Sequence, residues 1–239
     1  VSDTPVSGLA WGTLGSPVGQ LSVACSAAGL TKVYFGPPPA RAAWLARTYP
    51  GFPGRKPWQN GHDRANNPGN AGEDRRQAAA RAQAGPAPAQ PEGADGEPAA
   101  AHRQLERACT QLGEYFAGQR RAFDLPVDWS GMSAAQRQVL PVLLASAAYG
   151  ETVTYGALAR RAGLADGGQV PAARVTGQIM GSNPCPVIVP CHRVVAGDGL
   201  GGYSGGAGIE IKRWLLIFEG ALPPTLDWDP AGPPGPGGG

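Results

Sequence analysis

Histidine is scarce in this chain of 239 residues. There are three, and two of them, His62 and His102, lie in or beside a stretch of Gly, Pro, Ala, Gln, Asn and Arg without apolar period. These two read as solvent-exposed, so any chemistry that needs an imidazole base falls to His192. Cysteine is sparse as well: Cys25, Cys109, Cys185 and Cys191 form no CxxC pair and no secreted framework, which points away from disulfides and toward a reduced, intracellular setting. No run approaches the ~20 apolar residues of a membrane span, and Val1 to Gly19 lacks the basic-then-apolar order of a signal peptide. The expectation is a soluble cytoplasmic protein. A polycationic arm is missing too: residues 1–50 hold three basic and one acidic side chain, 51–100 six of each, and 101–239 eleven of each. A nucleic-acid partner would then be recognised by a few placed arginines and by groove shape rather than by bulk field.

What is abundant is Gly (37) and Pro (25), together about a quarter of the chain, so the foldable part is shorter than the whole. Residues 9–35 alternate apolar and polar positions between Gly/Pro turns, predicting a hairpin or meander with Cys25 as a buried, inert thiol. From about Pro50 to Ala100 the composition cannot bury enough surface to offset backbone ordering, which predicts a disordered insertion. Order resumes at Gln104 to Phe116, where Leu105, Cys109, Leu112 and Phe116 recur at helical spacing. Phe123 to Trp129 reads as extended. Ser133 and Gln136 form a capping box that opens a further helix, in which Pro141 predicts a kink.

The next segment has the pattern of a helix-turn-helix. Thr154 caps a helix from Tyr155 to Ala162, and Pro171 starts a second that runs to about Met180. Ala172, Val175 and Ile179 make a core stripe, while Ala173, Gly177 and Gly181 leave the other side nearly bald except for Arg174. A bald face lets a helix backbone approach another surface closely; plain helix packing is the alternative. The last helix, about Ile209 to Glu219, carries Ile211, Trp214, Leu215 and Phe218 on one stripe, with Glu219 at its border and expected to be partly buried. An acid in a helix's last turn opposes the helix dipole and should want a partner. Pro223 onward reads as a disordered tail.

The reactive stretch is Asn183 to Val194, N-P-C-P-V-I-V-P-C-H-R-V. A free thiol has a pKa of ~8.5 and needs a base, a helix N-terminus or a cation to become a nucleophile at neutral pH. On an extended strand Cys191 and His192 would point to opposite faces, so their cooperation requires a turn or a bridging water, and a turn after Pro190 supplies one. A third group must hold the imidazole, and Glu219 is the best placed acid. Metal binding by Cys185, Cys191 and His192 competes, but C-x5-C-H fits no zinc pattern well. The Gly-rich loop from Ala196 to Gly206, with Tyr203 and Ser204, reads as a substrate-covering loop rather than a phosphate cradle.

P-C-H-R-V at 190–194, preceded by Asn183-Pro184 and followed by G-Y-S-G-G and a helix ending in Glu219-Gly220, resembles the active site of the O6-alkylguanine-DNA alkyltransferases, the methylated-DNA–protein-cysteine methyltransferases. L-G-S-P-V-G-Q-L at 14–21 is similar to an N-terminal motif of the same family. The resemblance implies an α/β fold: an N-terminal RNase-H-like α/β domain and a helical C-terminal alkyltransferase domain with a helix-turn-helix. It divides the chain into a sheet part (1–50), the disordered insertion (51–103), a helix and strand completing the first domain (104–128), the DNA-binding alkyltransferase domain (129–222) and a disordered tail (223–239). It implies a monomer of bacterial cytoplasmic type that binds the minor groove of double-stranded DNA carrying O6-alkylguanine, needs no cofactor and touches no membrane. Cys191 would accept the alkyl group from a flipped-out O6-alkylguanine, and from O4-alkylthymine, in a stoichiometric suicide reaction. His192 would take the thiol proton through a water, Glu219 would orient it, Asn183 would brace the turn, and Tyr155 would assist departure of guanine. Arg174 would fill the gap in the duplex, Ala173 and Gly177 would lie in the groove, and Pro186, Tyr203 and Ser204 would line the base pocket. Thr31 stands where zinc-binding members carry a histidine, so no structural zinc is expected. Two other readings remain, a non-catalytic lesion-binding protein and a Cys-His-Glu hydrolase.

Overall fold

The computed structural model describes residues 8–40, 47–48, 96–164, 170–202, 208–226, 228–230 and 232–233. His62, Tyr203 and Ser204 lie outside the described residues. The fold is mixed α/β. Strands β1 (Ala10–Ser16), β2 (Gly19–Ser26) and β3 (Gly29–Phe35) form an antiparallel meander, and β4 (Arg47–Thr48) adds in parallel beside β1, in the order β3-β2-β1-β4. Ser16 pairs with Gly19 and Ser26 with Gly29, so each turn has two residues between its paired ends. The alternation read from the sequence sets the core face: Leu14, Leu21, Val23, Cys25, Leu30 and Val33 are buried. Burial also pushes the Cys25 thiol up to about 12, which keeps it protonated and inert.

Helix α1 (Glu97–Phe116) lies on this sheet through Ala101, Leu105, Ala108, Leu112 and Phe116. It begins seven residues before the expected start at Gln104, so residues 97–103 are helical rather than part of the insertion. The cause is local: Pro98 suits a first turn, Ala99 to Ala101 are strong helix formers, and Ala101 is buried. His102 sits on this helix, with Nδ1 2.7 Å from the Pro98 carbonyl.

The chain then returns along the β3 edge. Leu30 N–H donates to the Pro126 carbonyl and Asp128 N–H to the Leu30 carbonyl, at 2.9 and 2.8 Å. Gly29, at φ +142°, is required here, because a side-chain carbon would collide with the Pro126 backbone. Helix α2 (Ala134–Ser146) opens with the expected capping box between Ser133 and Gln136 and continues through Pro141. A two-residue strand β5 (Val153–Thr154) leads into α3 (Tyr155–Arg161), capped by Thr154, and α4 (Ala172–Gly181) packs on α3.

The described part of the tail is packed rather than free. Trp228 stacks on Trp214 with centroids 6.3 Å apart, and the Trp214 indole donates to the Asp229 carbonyl at 2.7 Å. An aromatic residue in a Pro/Gly context is an anchor that the composition of the tail conceals. The boundary expected between 128 and 129 is crossed by several contacts within one compact unit, formed by Val1–Gly54 and Glu97–Gly239. Val33 N–H donates to the Pro184 carbonyl at 2.8 Å and Cys185 Sγ donates to the Thr31 carbonyl at 3.4 Å, so β3 is the bed on which the reactive stretch rests.

Candidate active site

Residues 183–190 form successive turns rather than a strand. Asn183 ties them together: its Nδ2 donates to the Val189 carbonyl at 2.9 Å and its Oδ1 accepts from Cys185 N–H at 3.0 Å. Val187 is held at φ +74°, a left-handed conformation that β-branched side chains avoid and that costs about 1–3 kcal/mol. Pro186 is buried within these turns. The chain then enters a single 3-10 turn, Cys191–Arg193, which supplies the change of direction that an extended strand would deny. Strand β6 (Val194–Val195) follows and pairs in parallel with β5, Val153 opposite Val194 and Thr154 opposite Val195. That pairing sets Tyr155, the first residue of α3, beside the reactive turn.

Helix α5 (Ile209–Phe218) brings Glu219 to its C-cap. Glu219 is 0 % exposed, so it is fully buried rather than bordering the apolar stripe as expected. Side chains of three residues donate to it. His192 Nε2 lies 2.9 Å from Oε1, Tyr115 Oη donates to Oε1 at 2.7 Å, and Arg193 grips both oxygens, Nε to Oε2 at 2.8 Å and Nη2 to Oε1 at 2.9 Å. Arg193 Nη1 also donates to the Ala147 carbonyl at 2.7 Å. Burial alone would raise the carboxyl pKa, but His192 and Arg193 hold it well below the usual range, so it is ionised.

Burial lowers the His192 pKa, and the Glu219 charge only partly opposes this, so the imidazole is neutral. With an ionised carboxylate at Nε2, the neutral ring carries its proton there and presents the Nδ1 lone pair. Nδ1 is buried and has no hydrogen-bond partner among the described residues. The arrangement is a base held in one tautomer next to a thiol: Cys191 is 3 % exposed and precedes it on the same turn.

Tyr155 is half-buried, with its pKa raised by burial and by Cys191, so it is a protonated donor. Its hydroxyl donates to the Gly202 carbonyl at 3.0 Å. Gly201, at φ +68°, makes room for that ring, since a side-chain carbon there would stand 2.8 Å from Tyr155 Cε2. Lys212 of α5 is buried and donates to the carbonyls of Val194, Leu200 and Gly202, tying the root of the Gly-rich loop to β6. Burial lowers its pKa to about 8.

The stripe of α4 is slightly rotated from the expected one. Ala172, Thr176, Ile179 and Met180 are buried and Val175 is half-buried, because Thr176 satisfies its hydroxyl on the Ala172 carbonyl at 2.9 Å. Arg174 is exposed, Ala173 and Gly177 are half-buried, and a carbon added at Gly177 would touch the Tyr155 ring at 3.9 Å. The bald face therefore borders the site. Thus Cys191, His192, Glu219, Asn183 and Tyr155 converge, while Arg174 is exposed on α4. Sequence reasoning missed Tyr115 and Lys212 and gave Arg193 only a part in the turn. One pattern marked Lys212: it lies seven residues before Glu219, two helical turns along the same face, at the border of the apolar stripe. Among the described residues no group of three or more His, Cys, Asp or Glu is placed to hold a metal ion.

The family model for the DNA-binding domain of 6-O-methylguanine DNA methyltransferase matches residues 134–221. A methylated-DNA–protein-cysteine methyltransferase of Methanopyrus kandleri is 42 % identical over 127 residues, 53 % of this chain and 88 % of that protein. A DNA base-flipping protein of Thermus thermophilus is 41 % identical over 134 residues, 55 % of this chain and 82 % of that protein. Among solved structures, that of Mycobacterium tuberculosis OGT in complex with DNA matches with a TM-score of 0.55 at 28 % identity, covering 88 % of this chain and 92 % of that one.

Proposed function

The chain belongs to the methylated-DNA–protein-cysteine methyltransferase family, and from that premise we propose that it repairs DNA by moving an alkyl group from O6 of guanine to its own Cys191. The observation that carries this reading is the buried 3-10 turn in which Cys191 precedes a neutral, single-tautomer His192 tied to Glu219. In the reaction the Cys191 sulfur attacks the carbon bound to O6, the S–C bond forms as the C–O6 bond breaks, and the thiol proton passes through a water to His192 Nδ1. Tyr155 turns its hydroxyl from the Gly202 carbonyl to the departing base near N3, where negative charge develops. Asn183 keeps the turn in shape. The product is a thioether, which no group at this site hydrolyses, so each molecule acts once.

A thiol 3 % exposed cannot reach a base that stays stacked in a duplex, and flipping the nucleotide out costs a few kcal/mol of stacking and pairing. Arg174, exposed on α4, occupies the gap, and the bald face of Ala173 and Gly177 lies in the minor groove. Pro186, with Tyr203 and Ser204 from the Gly-rich loop, lines the pocket for the flipped base. O4-alkylthymine is a second substrate. The protein acts as a monomer on chromosomal DNA in a bacterial cytoplasm, with residues 1–50 and 104–128 as an RNase-H-like support for the alkyltransferase part at 129–222. No helix among the described residues is long and apolar enough to cross a membrane.

A lesion-binding protein that does not react would have no use for a thiol beside a tethered base. The test is a duplex carrying O6-methylguanine with a labelled methyl group. Label moves to the wild-type protein, while Cys191→Ala binds the duplex and stays unlabelled; label on that variant would refute the assignment.

A further inference from the structure

The hydroxyl of Tyr115 reaches Glu219 from outside the segment between α2 and α5. It reaches Oε1 from α1, 104 residues away in sequence, at 2.7 Å, and the phenol is 0 % exposed. It is wedged among Phe116, Phe123, Tyr149 and Phe218, with ring centroids 5.0 to 6.2 Å away, so it has little freedom to leave. Oε1 is also the oxygen that accepts from His192 Nε2. With Arg193 Nη2 at 2.9 Å, three donors share this carboxylate oxygen; they compete for its charge, and each weakens the others' bonds.

We infer that Tyr115 is a positioning residue for the thiol-activating pair: it fixes Glu219 Oε1 against His192 and, by drawing charge from that oxygen, limits how strongly the carboxylate supports a proton on the imidazole. This rests on the reading of His192 as the base. The effect runs through a crowded field. Arg193 from the 3-10 turn grips the same carboxylate, Lys212 of α5 opposes a positive imidazole, and Tyr149 from the loop after α2 faces both Tyr115 and Arg193. Burial and the neighbouring carboxylate raise the Tyr115 pKa well above the ordinary phenol value, so its proton stays in place throughout the working range. In that range the hydroxyl is a fixed donor.

Tyr115→Phe removes the hydroxyl and keeps the ring. With one competing donor gone, Glu219 supports imidazolium better, and the protonation constant of His192 should rise about tenfold, one pH unit, the scale of a single charge-assisted hydrogen bond. Two readouts follow, on the full chain. The imidazole titration of His192, read by nitrogen chemical shifts, moves up by about one unit. The acid limb of single-turnover methyl transfer from an O6-methylguanine duplex moves up with it, while the dissociation constant for the duplex is unchanged. Tyr115→Met, of similar apolar bulk, repeats both shifts if phenylalanine folds poorly. An unmoved imidazole titration in folded variant protein overturns the inference, even if activity drops, since a packing role alone would lower the rate without moving the titration. If the wild type transfers no methyl group, the functional reading fails; the imidazole titration still decides the role of Tyr115.

Discussion

Replacing Arg193 with methionine asks how the buried Glu219 carboxylate is kept charged. Arg193 is 6 % exposed and Glu219 0 %, and the guanidinium spends both Nε and Nη2 on the carboxylate and Nη1 on the Ala147 carbonyl. Methionine fills much of the volume but strips the buried negative charge of its cationic partner, leaving Tyr115, His192 and a long bond from Gly150 N–H at 3.4 Å among its donors. Breaking a buried pair from one side costs about 3–5 kcal/mol. At about 2–4 °C per kcal/mol for a chain of this size, Tm should fall by roughly 6–20 °C. The orphaned carboxylate should also draw a proton onto His192, raising its titration. Replacing both partners removes the stranded charge, so Arg193→Met with Glu219→Met should be markedly more stable than the sum of the single losses predicts. The assay is thermal and urea denaturation of the two single variants and the double variant. A loss below about 1 kcal/mol in Arg193→Met, the range of exposed pairs, or strict additivity in the double variant, would refute the reasoning.

Arg174→Ala should weaken methyl transfer from a duplex far more than transfer from a free O6-alkylguanine derivative, measured as single-turnover rates; equal losses would remove its role in base flipping. Gly201→Ala forces a side chain into the left-handed region and against Tyr155 Cε2, so it should lower the transfer rate and cost about 1–3 kcal/mol of stability, checked by kinetics and denaturation together. Stability should also fall with acid in two stages. The folded His192 pKa lies below its ordinary 6.5, so the unfolded chain takes up protons first as pH drops through that value. Glu219, held well below its ordinary 4.5, adds a second loss from about pH 5 downward. Denaturation midpoints between pH 8 and 3 test this; a flat profile down to pH 5 would contradict the neutral, buried imidazole.

The parts of the fold written in short-range patterns were readable from the sequence: the meander by its alternation, the α2 capping box, the Thr154 cap and the last helix by its stripe. Glu219 stood out because an acid opposes the dipole of a helix's last turn. What stayed hidden depends on distant packing. Nothing near Tyr115 in sequence signals that its hydroxyl meets a carboxylate 104 residues later, and nothing near Arg193 signals that the turn it helps to form buries its guanidinium. The residues Glu97 to Arg103 look like low-complexity chain because Pro and Ala dominate both settings; only the sheet beneath them tells a helix from a coil. Trp228 was obscured by the prolines and glycines around it, and its partner Trp214 is fourteen residues earlier.

The central claim is that Cys191 is an acceptor used once. The direct measurement is a titration of the protein with an excess of duplex carrying labelled O6-methylguanine, followed by peptide mapping. Label should plateau at one per protein molecule, all of it on the peptide that contains Cys191. A plateau above one, continued release of labelled small molecule, or label on Cys185 instead would contradict the account.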